Sequence, residues 1–285
     1  MSPATRLREL LASPEILVMP GCYDAMSARL IEHAGFKATF MGGFAVSAAR
    51  IGMPDTGLIS YAEMLDQGAN ICSAVSIPVI GDGDTGYGNA LNVQRTVRGY
   101  ARAGFACVMI EDQVAPKRCG HTRGKRTVDR DEAFARLRAA VDERDAGTDI
   151  LIMARTDANA TEGFDEALER ARIFTEIGVD ITFLEAPLDE AQMRAYCEGV
   201  PGPKMANMVE QGDTPVLSPK ALQDIGYKIA IYPITLMLAG IHAMEQALAA
   251  LAAGETPRDT AEFAHLRDIV GFPAYYEAEK RYAAD

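Results

Sequence analysis

The chain has 285 residues, of which 48% are hydrophobic and 24% are charged, a composition that supports a folded core and excludes intrinsic disorder. Its formal net charge of −12 argues against nucleic acid or an anionic membrane as a partner. The five cysteines are scattered, no signal-peptide pattern is visible, and no apolar run approaches the roughly 18 residues of a bilayer span. These features favour a reduced, cytoplasmic protein.

A repeated unit runs along the chain. Four times, a helix-like stretch ends in glycine plus an apolar or aromatic residue, and an apolar run follows; the glycines are Gly35, Gly104, Gly178 and Gly226. Glycine after a helix readily takes the left-handed conformation that ends it. Short apolar runs between helices are typical of buried parallel strands. Eight strands are predicted in this way: 16–19, 38–41, 77–80, 106–110, 150–155, 181–184, 205–208 and 229–232.

A helical pattern follows each predicted strand. The eight helices cover 24–33, 61–75, 90–103, 130–142, 164–177, 189–197, 219–224 and 235–252. Eight strand–helix units predict one α/β domain over 1–285, a (β/α)8 TIM-type barrel with its chemistry at the carboxyl ends of the strands. A doubly wound open sheet is the alternative, but no glycine-rich dinucleotide turn is present.

A C-terminal tail, 257–285, follows the last predicted unit of the barrel. It is predicted to hold a helix over 258–270 and an aromatic segment over 272–282. The aromatic segment carries more aromatic surface than a solvated terminus needs. We expect it to dock on a neighbouring subunit, with packing on its own barrel as the alternative.

Acidic residues follow three successive predicted strands. Asp82 and Asp84 follow the third strand, where alternation of side chains would point both the same way, and Glu111 follows the fourth. Asp55 lies in the loop after the second strand and could reach the same point. Carboxylate oxygens are the ligands that Mg2+ and Mn2+ prefer. The four acids therefore predict a shared metal site, with unrelated turn-capping acids as the alternative.

The segment 117–121, Lys-Arg-Cys-Gly-His, places a thiol among groups that are cationic or can become so. Lys117 and His121 beside Cys119 would lower the pKa of its thiol and make it reactive. The chain has no Cys-x-x-Cys pair and no second Cys-His pair, which excludes a redox pair and a zinc site. Cys119 is therefore predicted to be a proton donor or a nucleophile.

Polar side chains also follow the fifth, sixth and seventh strands. Arg155 could grip a carboxylate with two donors, and a salt bridge with Asp157 is the alternative role. Glu185 and Asn207 could contact a substrate, or could simply satisfy loop amides.

Together these motifs resemble the isocitrate lyase/phosphoenolpyruvate mutase superfamily over nearly the whole chain. The segments that carry the resemblance are 82–88, 110–113, 117–121, 154–157 and 206–208. The resemblance implies Mg2+, with Mn2+ as a substitute, held directly by Asp82 and mainly through water by Asp55, Asp84 and Glu111. It also implies a last helix exchanged between subunits, in a homotetramer built as a dimer of helix-swapped dimers.

Within that superfamily, Lys-Arg-Cys-Gly-His marks the lyases, so the resemblance implies carbon–carbon cleavage of a 2-hydroxy dicarboxylate. Mg2+ and Arg155 would hold the end that becomes the α-keto acid. Cys119 would protonate the departing enediolate as general acid, and Lys117 and His121 would position its carboxylate. Asp82, Glu185 and Asn207 are the further substrate contacts expected from this pattern.

Two departures from the pattern lie after the second strand. Phe40 stands where many lyases carry tyrosine, so the usual candidate for deprotonating the substrate alcohol is missing. Gly42 replaces a hydroxyl residue that would contact the keto-acid carboxylate. Backbone amides of Gly42 and Gly43 are expected to take over that contact.

The substrate expected from the resemblance is a 2,3-dimethylmalate-like malate, cleaved to pyruvate or another α-keto acid plus a short carboxylate. The methylisocitrate lyases commonly carry an arginine for a third carboxylate after the last strand, and 232–238 supplies none. Alternatives are a 2-methylisocitrate lyase, releasing succinate and pyruvate, and an oxaloacetate decarboxylase or phosphonopyruvate-type enzyme. A barrel without catalysis that acts as a binding protein is an alternative of another class.

Overall fold

The computed structural model describes residues 1–120, 124–212 and 214–283. Eight parallel strands form one sheet in the order β6-β5-β4-β3-β2-β1-β8-β7. A parallel bridge between Thr182 and Lys204 joins β6 to β7 and brings the two edges of the sheet together. The strands are β1 (Leu17–Cys22), β2 (Thr39–Met41), β3 (Val79–Asp82), β4 (Cys107–Glu111), β5 (Leu151–Thr156), β6 (Ile181–Leu184), β7 (Met205–Asn207) and β8 (Ile229–Tyr232). The predicted (β/α)8 barrel is confirmed.

Helices lie between the strands and after the last one. They are α1 (Pro3–Ala12), α2 (Ala25–His33), α3 (Gly43–Ile51), α4 (Tyr61–Ala74), α5 (Ala90–Ala103), α6 (Arg130–Asp145), α7 (Ala158–Thr161), α8 (Phe164–Ile177), α9 (Glu190–Gly199), α10 (Pro219–Ile225), α11 (Thr235–Ala252), α12 (Phe263–Ile269) and α13 (Phe272–Tyr282). The eight predicted helices are present with ends shifted by at most three residues, and the short α1, α3 and α7 are additional.

Left-handed glycines follow the four helices that the repeat names, and Gly35, with φ of 87°, comes directly after Ala34, the C-cap of α2. Gly104, Gly178 and Gly226 are the C-caps of α5, α8 and α10, with φ of 100°, 103° and 115°. Because this left-handed region suits glycine, each helix stops there and the chain turns into the next strand.

The core has two layers. Side chains inside the barrel, among them Met19, Met109, Met153 and Ile231, form one buried cluster. A second layer packs between the strands and the surrounding helices, with Tyr100 stacked on Phe105 at 4.7 Å between ring centroids. The filled interior places open space at the ends of the strands, where the polar residues stand.

The geometry after β3 differs from the prediction. The strand ends at Asp82, and Asp84 lies beyond it with φ of 48°. Strand alternation therefore does not set the direction of Asp84. Instead, the Asp84 amide donates a hydrogen bond of 3.0 Å to Asp82 Oδ1, and this tight turn holds the two acids together.

The C-terminal helices lie on the outside. The predicted helix over 258–270 is shorter, since α12 begins only at Phe263, and the aromatic segment forms the helix α13. None of the residues of α11, α12 or α13 is buried. Contrary to the sequence expectation, α11 is long and apolar enough to cross a membrane, although one such helix is weak evidence for a span.

Candidate active site

A cavity of about 240 Å³ lies at the carboxyl ends of the strands. Most of the residues predicted for catalysis and binding line it: Gly42, Gly43, Asp55, Asp82, Lys117, Cys119, Arg155, Glu185 and Asn207. Asp84 and Glu111 are buried beside it, in contact with Lys117 and Arg155 respectively. His121, the remaining predicted residue, lies outside the described residues. Phe40, at the position of the missing tyrosine, also lines the cavity.

Two hydrogen bonds hold Asp82 in place in the cavity lining. Its Oδ2 accepts a hydrogen bond of 3.0 Å from the amide of Gly43, the first residue of α3. A Cβ at Gly43 would lie 2.8 Å from the same oxygen, so this close approach requires glycine. The Asp82 carbonyl accepts a bond of 2.7 Å from the buried Tyr100 hydroxyl. The Gly43 amide expected to bind substrate therefore binds Asp82 here.

Lys117 lies within the acid cluster. Its ammonium is 2.7 Å from each carboxylate oxygen of Asp55 and 2.9 Å from Asp84 Oδ1. The Lys117 side chain is only 5% exposed, and both partners are equally shielded. The resemblance implies that Lys117 positions a substrate carboxylate, whereas in this structure its ammonium pairs with two acids of the protein.

Burial shifts the pKa values of the acids around Lys117. Desolvation raises the pKa of Asp84 to about 6, although the Lys117 ammonium opposes the shift. The same cause raises the pKa of Glu111 well above its ordinary value. The carboxylates around Lys117 outweigh its own desolvation and raise the pKa of its ammonium. The cluster thus holds excess acidic charge that favours a cation.

The acid cluster can be tested for its fit to Mg2+. The described residues contain no group of three or more His, Cys, Asp or Glu side chains arranged to hold a metal directly. Mg2+, however, keeps several waters and takes only one or two carboxylates. Glu111 Oε1 is buried and accepts no hydrogen bond from any described residue, which leaves an oxygen for such a hydrated ion. Asp82 at the cavity wall, backed by Asp84 and Glu111, fits this arrangement.

Arg155 is held by three acids. Its Nε lies 2.8 Å from Asp157 Oδ2 and 3.4 Å from Glu111 Oε2, and its Nη1 lies 3.0 Å from Glu185 Oε2. Asn207 donates a hydrogen bond of 3.3 Å to Glu185 Oε1. The salt bridge with Asp157 and a position on the cavity wall occur together, so the two roles weighed for Arg155 do not exclude each other.

Gly120 lies directly against this ion pair. A Cβ at Gly120 would be 2.4 Å from Arg155 Nη2 and 2.5 Å from Glu185 Oε2. Because glycine permits this approach, the preceding residue, Cys119, is brought to the wall of the cavity that Asp82 also lines. A small anion between the strand ends would therefore lie beside both the Arg155 guanidinium and the segment that carries the thiol.

Part of the cavity lining is apolar. Phe44, Val209, Pro233 and Ile234 contribute to its wall, together with side chains of the barrel interior. The cations among its described lining residues are Lys117 and Arg155. The site thus combines charged and apolar lining residues.

Three residues beside the site, all with side chains shielded from solvent, were not predicted from the sequence to be site residues. Asp157 binds Arg155 and Lys125, and Asp112 accepts a hydrogen bond of 2.9 Å from the Asp157 amide. The pair Glu111-Asp112 and the Arg-x-Asp spacing at 155–157 are visible in the sequence, but Lys125 has no such signal.

Comparison with known proteins gives consistent matches. A family model described as phosphoenolpyruvate phosphomutase matches residues 7–252. The chain is 43% identical over 287 residues to 2,3-dimethylmalate lyase of Eubacterium barkeri, covering 99% of each. It is 40% identical over 283 residues to 2-methylisocitrate lyase of Aeropyrum pernix, covering 98% of this chain and 90% of that one.

Solved structures are similar over the same length. Oxaloacetate acetylhydrolase in complex with 3,3-difluorooxalacetate has a TM-score of 0.95 at 34% identity, covering 100% of this chain and 98% of that chain. Phosphonopyruvate hydrolase in complex with oxalate and Mg2+ has a TM-score of 0.87 at 27% identity, with 99% of each chain covered.

Proposed function

The chain belongs to the phosphoenolpyruvate mutase/isocitrate lyase superfamily and is a carbon–carbon lyase, and from this premise we propose that it cleaves a 2,3-dimethylmalate-like substituted malate. The products would be pyruvate or another α-keto acid and a short monocarboxylate. Among the matched relatives, 2,3-dimethylmalate lyase of Eubacterium barkeri carries the substrate class in its name.

The character of the cavity is the observation that carries this proposal. The cations among its described lining residues are Lys117 and Arg155, so it offers positive charge for at most two substrate carboxylates, and Lys117 shares its charge with Asp55. Val209 and Ile234 offer an apolar wall where a third carboxylate would be desolvated without a partner. An alkyl substituent at that wall gains burial instead, which favours a substituted malate over a tricarboxylate.

Mg2+ is the proposed cofactor, held at Asp82 with support from Asp55, Asp84 and Glu111. When bound, it would supply a Lewis acid for the oxygen that becomes the keto group. The match to a phosphonopyruvate hydrolase whose structure holds Mg2+ supports this assignment. The orphaned buried oxygen of Glu111 supports it from the chain itself.

The residues of the chain supply the remaining steps. Arg155 would hold the carboxylate of the nascent keto acid, beside the carbon–carbon bond that breaks. As the substrate alcohol loses its proton to solvent, its oxygen would become the keto group, the carbon–carbon bond would break, and the electron pair of that bond would pass to the α-carbon of the departing half as an enediolate. Cys119 would transfer its proton to that carbon, leaving a thiolate. Gly120, pressed against the Arg155–Glu185 pair, sets the position of Cys119 relative to the keto-acid end.

The test is a substrate comparison with purified protein and Mg2+. Release of pyruvate would be followed with lactate dehydrogenase for 2,3-dimethylmalate and 2-methylisocitrate, and oxaloacetate consumption would be followed separately. We expect the highest kcat/KM for the dimethylmalate. A preference for 2-methylisocitrate would refute the two-carboxylate argument, and oxaloacetate as the preferred substrate would move the protein toward the activity named for the acetylhydrolase.

We also propose that the C-terminal helices associate with other copies of the chain. The exposed helix α11 carries large apolar side chains, Leu238, Ile241, Met244, Leu248 and Leu251. Contiguous apolar surface of this kind marks an interaction site. A helix-swapped homotetramer would cover it, in a cytoplasmic protein whose five cysteines carry thiols.

Light scattering after size-exclusion chromatography would test this association. A tetramer is the expected result, and the Leu248→Glu variant should dissociate it, whereas a monomer in the wild-type protein would contradict it. Flotation with lipid vesicles would show whether a membrane covers α11 instead.

A further inference from the structure

Lys125 connects the thiol-bearing segment to the end of β5. Its ammonium donates a hydrogen bond to the carbonyl of Gly120 and lies 3.2 Å from Asp157 Oδ1. The Lys125 side chain is only 6% exposed, and that of Asp157 is fully buried. A buried lysine with two such acceptors is held in one place by charge and by the shape of its surroundings.

Asp157 is itself rigidly held. Its Oδ2 accepts a hydrogen bond of 2.8 Å from Arg155 Nε, and its Oδ1, which faces Lys125, accepts one of 3.0 Å from Arg155 Nη2. Its amide donates a bond of 2.9 Å to Asp112 Oδ1. Asp112 in turn lies 3.1 Å from the buried guanidinium of Arg170. One carboxylate therefore serves both the Arg155 guanidinium and the Lys125 ammonium.

We propose that Lys125 is a positioning residue that holds the Cys119–Gly120 segment at a fixed distance from the Arg155 guanidinium through the shared Asp157 carboxylate. This inference rests on the proposed function, since it concerns the placing of the general acid relative to the group that grips the substrate. The close approach of Gly120 to Arg155 and Glu185 is the geometry that Lys125 maintains. Lys125 itself does not line the cavity.

The Lys125→Met variant tests the proposal, because it keeps the length and apolar stem of the side chain but removes the ammonium. Alkylation of Cys119 by iodoacetamide, followed on its own peptide by mass spectrometry, needs neither substrate nor activity. We expect alkylation to quicken about fivefold or more as the segment opens locally. With substrate, kcat should fall about 10- to 100-fold through misplacement of the thiol, while KM changes less than about threefold.

Lys204→Met is the matched control. Lys204 is also a buried lysine that donates to a glycine carbonyl, 2.6 Å from Gly202 O, but it precedes β7 at the opposite end of the barrel. Its loss should leave Cys119 alkylation and kcat within about twofold of the wild type, since Lys204 does not line the cavity and its hydrogen bond is to Gly202, not to the Cys119–Gly120 segment. If Lys125→Met does not fold, Lys125→Gln, which also removes the charge, takes its place with the same readouts.

An alkylation rate in the Lys125 variant within about twofold of the wild type would overturn the proposal, whatever happens to turnover. A wild-type protein without lyase activity would refute the proposed function instead. The alkylation measurement would still decide the role of Lys125, so the two failures can be told apart.

Discussion

The ammonium of Lys117 and the carboxylate of Asp55 form an ion pair of 2.7 Å that is closed to solvent on both sides. Asp84 shares the same ammonium at 2.9 Å. Taking one cation and two carboxylates out of water costs several kcal/mol per ion, and the attraction between them offsets the cost only while all partners are present. The cluster therefore depends on Lys117, or on another cation in the same place.

Removing this ammonium should destabilise the metal-free protein. We expect Lys117→Met to lower the free energy of unfolding by about 3–5 kcal/mol in EDTA, because the carboxylates of Asp55 and Asp84 lose their counter-charge. Millimolar Mg2+ should restore part of the loss in the variant, since a divalent cation neutralises the same acids. Urea unfolding followed by circular dichroism, with EDTA and with Mg2+, measures both effects.

An exposed lysine gives the control for this variant. Lys220 pairs with Asp224 at 2.7 Å, but its side chain is 80% exposed. Lys220→Met should change the free energy of unfolding by less than about 0.5 kcal/mol with or without Mg2+. A Lys117 variant as stable in EDTA as the wild type would contradict the account of the cluster.

The barrel could be predicted because its signals are local. Each apolar run and each helix-ending glycine, such as Gly104, is read within about ten residues of sequence. The gathering of Asp82, Arg155 and Cys119 followed, since the carboxyl ends of parallel strands meet at one face. These positions come from the topology alone.

The individual side-chain contacts could not be predicted, because they depend on distances between the ends of different strands of the barrel. Lys125 and Asp157 are 32 residues apart, and their contact follows from how the segment after β4 lies on the end of β5. Strand alternation does not predict the direction of Asp84, because the chain turns at positive φ just after β3. The ion pair between Lys117 and Asp55 likewise depends on the folded structure, since the two residues are 62 positions apart in the chain.

Cys119→Ser tests the proton donor. A hydroxyl is a much weaker acid than a thiol, so we expect kcat to fall by about 10²- to 10⁴-fold, the usual contribution of a general acid. Mn2+ binding followed by electron paramagnetic resonance should be unchanged, because the metal ligands proposed are the carboxylates. Cys197→Ser, at a thiol in α9 that does not line the cavity, is the matched control and should keep normal turnover. Near-normal turnover of Cys119→Ser would show that the thiol is dispensable.

Gly120→Ala tests the close approach over Arg155. The added methyl group would lie 2.4 Å from Arg155 Nη2, so either the segment or the guanidinium must move. We expect kcat/KM to fall about 100-fold, as for a small misplacement of reacting groups, with little change in the melting temperature.

Gly35→Ala is the matched control. The φ of 87° at Gly35 strains alanine, but no atom lies within 4 Å of the new methyl group. That variant should lose about 1 kcal/mol of stability and keep its activity. A Gly120→Ala enzyme with wild-type kcat/KM would contradict the packing described here.

Glu166 provides a stability effect with a defined pH dependence. Hydrogen bonds from Arg130, with further help from Arg170, lower the pKa of Glu166 to about 2 from an ordinary value of 4.5. Arg130 Nε lies 2.9 Å and Arg170 Nε 2.8 Å from Glu166 Oε1. Because the folded-state pKa is the lower one, this stabilisation is fully present above pH 4.5 and is lost as the pH falls toward about 2.

Glu166→Gln should therefore be less stable than the wild type by about 1–2 kcal/mol at pH 7, after allowance for the one-fifth exposure of the carboxylate. The difference in the free energy of unfolding should shrink as the pH is lowered from 4.5 to 3, because the wild-type carboxylate then begins to lose its advantage over the amide. Urea titrations at pH 7, 5, 4 and 3 measure this difference in the free energy of unfolding.

Glu169→Gln is the matched control, on the same helix and 3.8 Å from Arg172 at the surface. Its free energy of unfolding should differ from that of the wild type by less than about 0.5 kcal/mol at every pH. A difference for Glu166→Gln that grows on acidification would show that the Arg130 and Arg170 contacts do not stabilise the ionised carboxylate in solution.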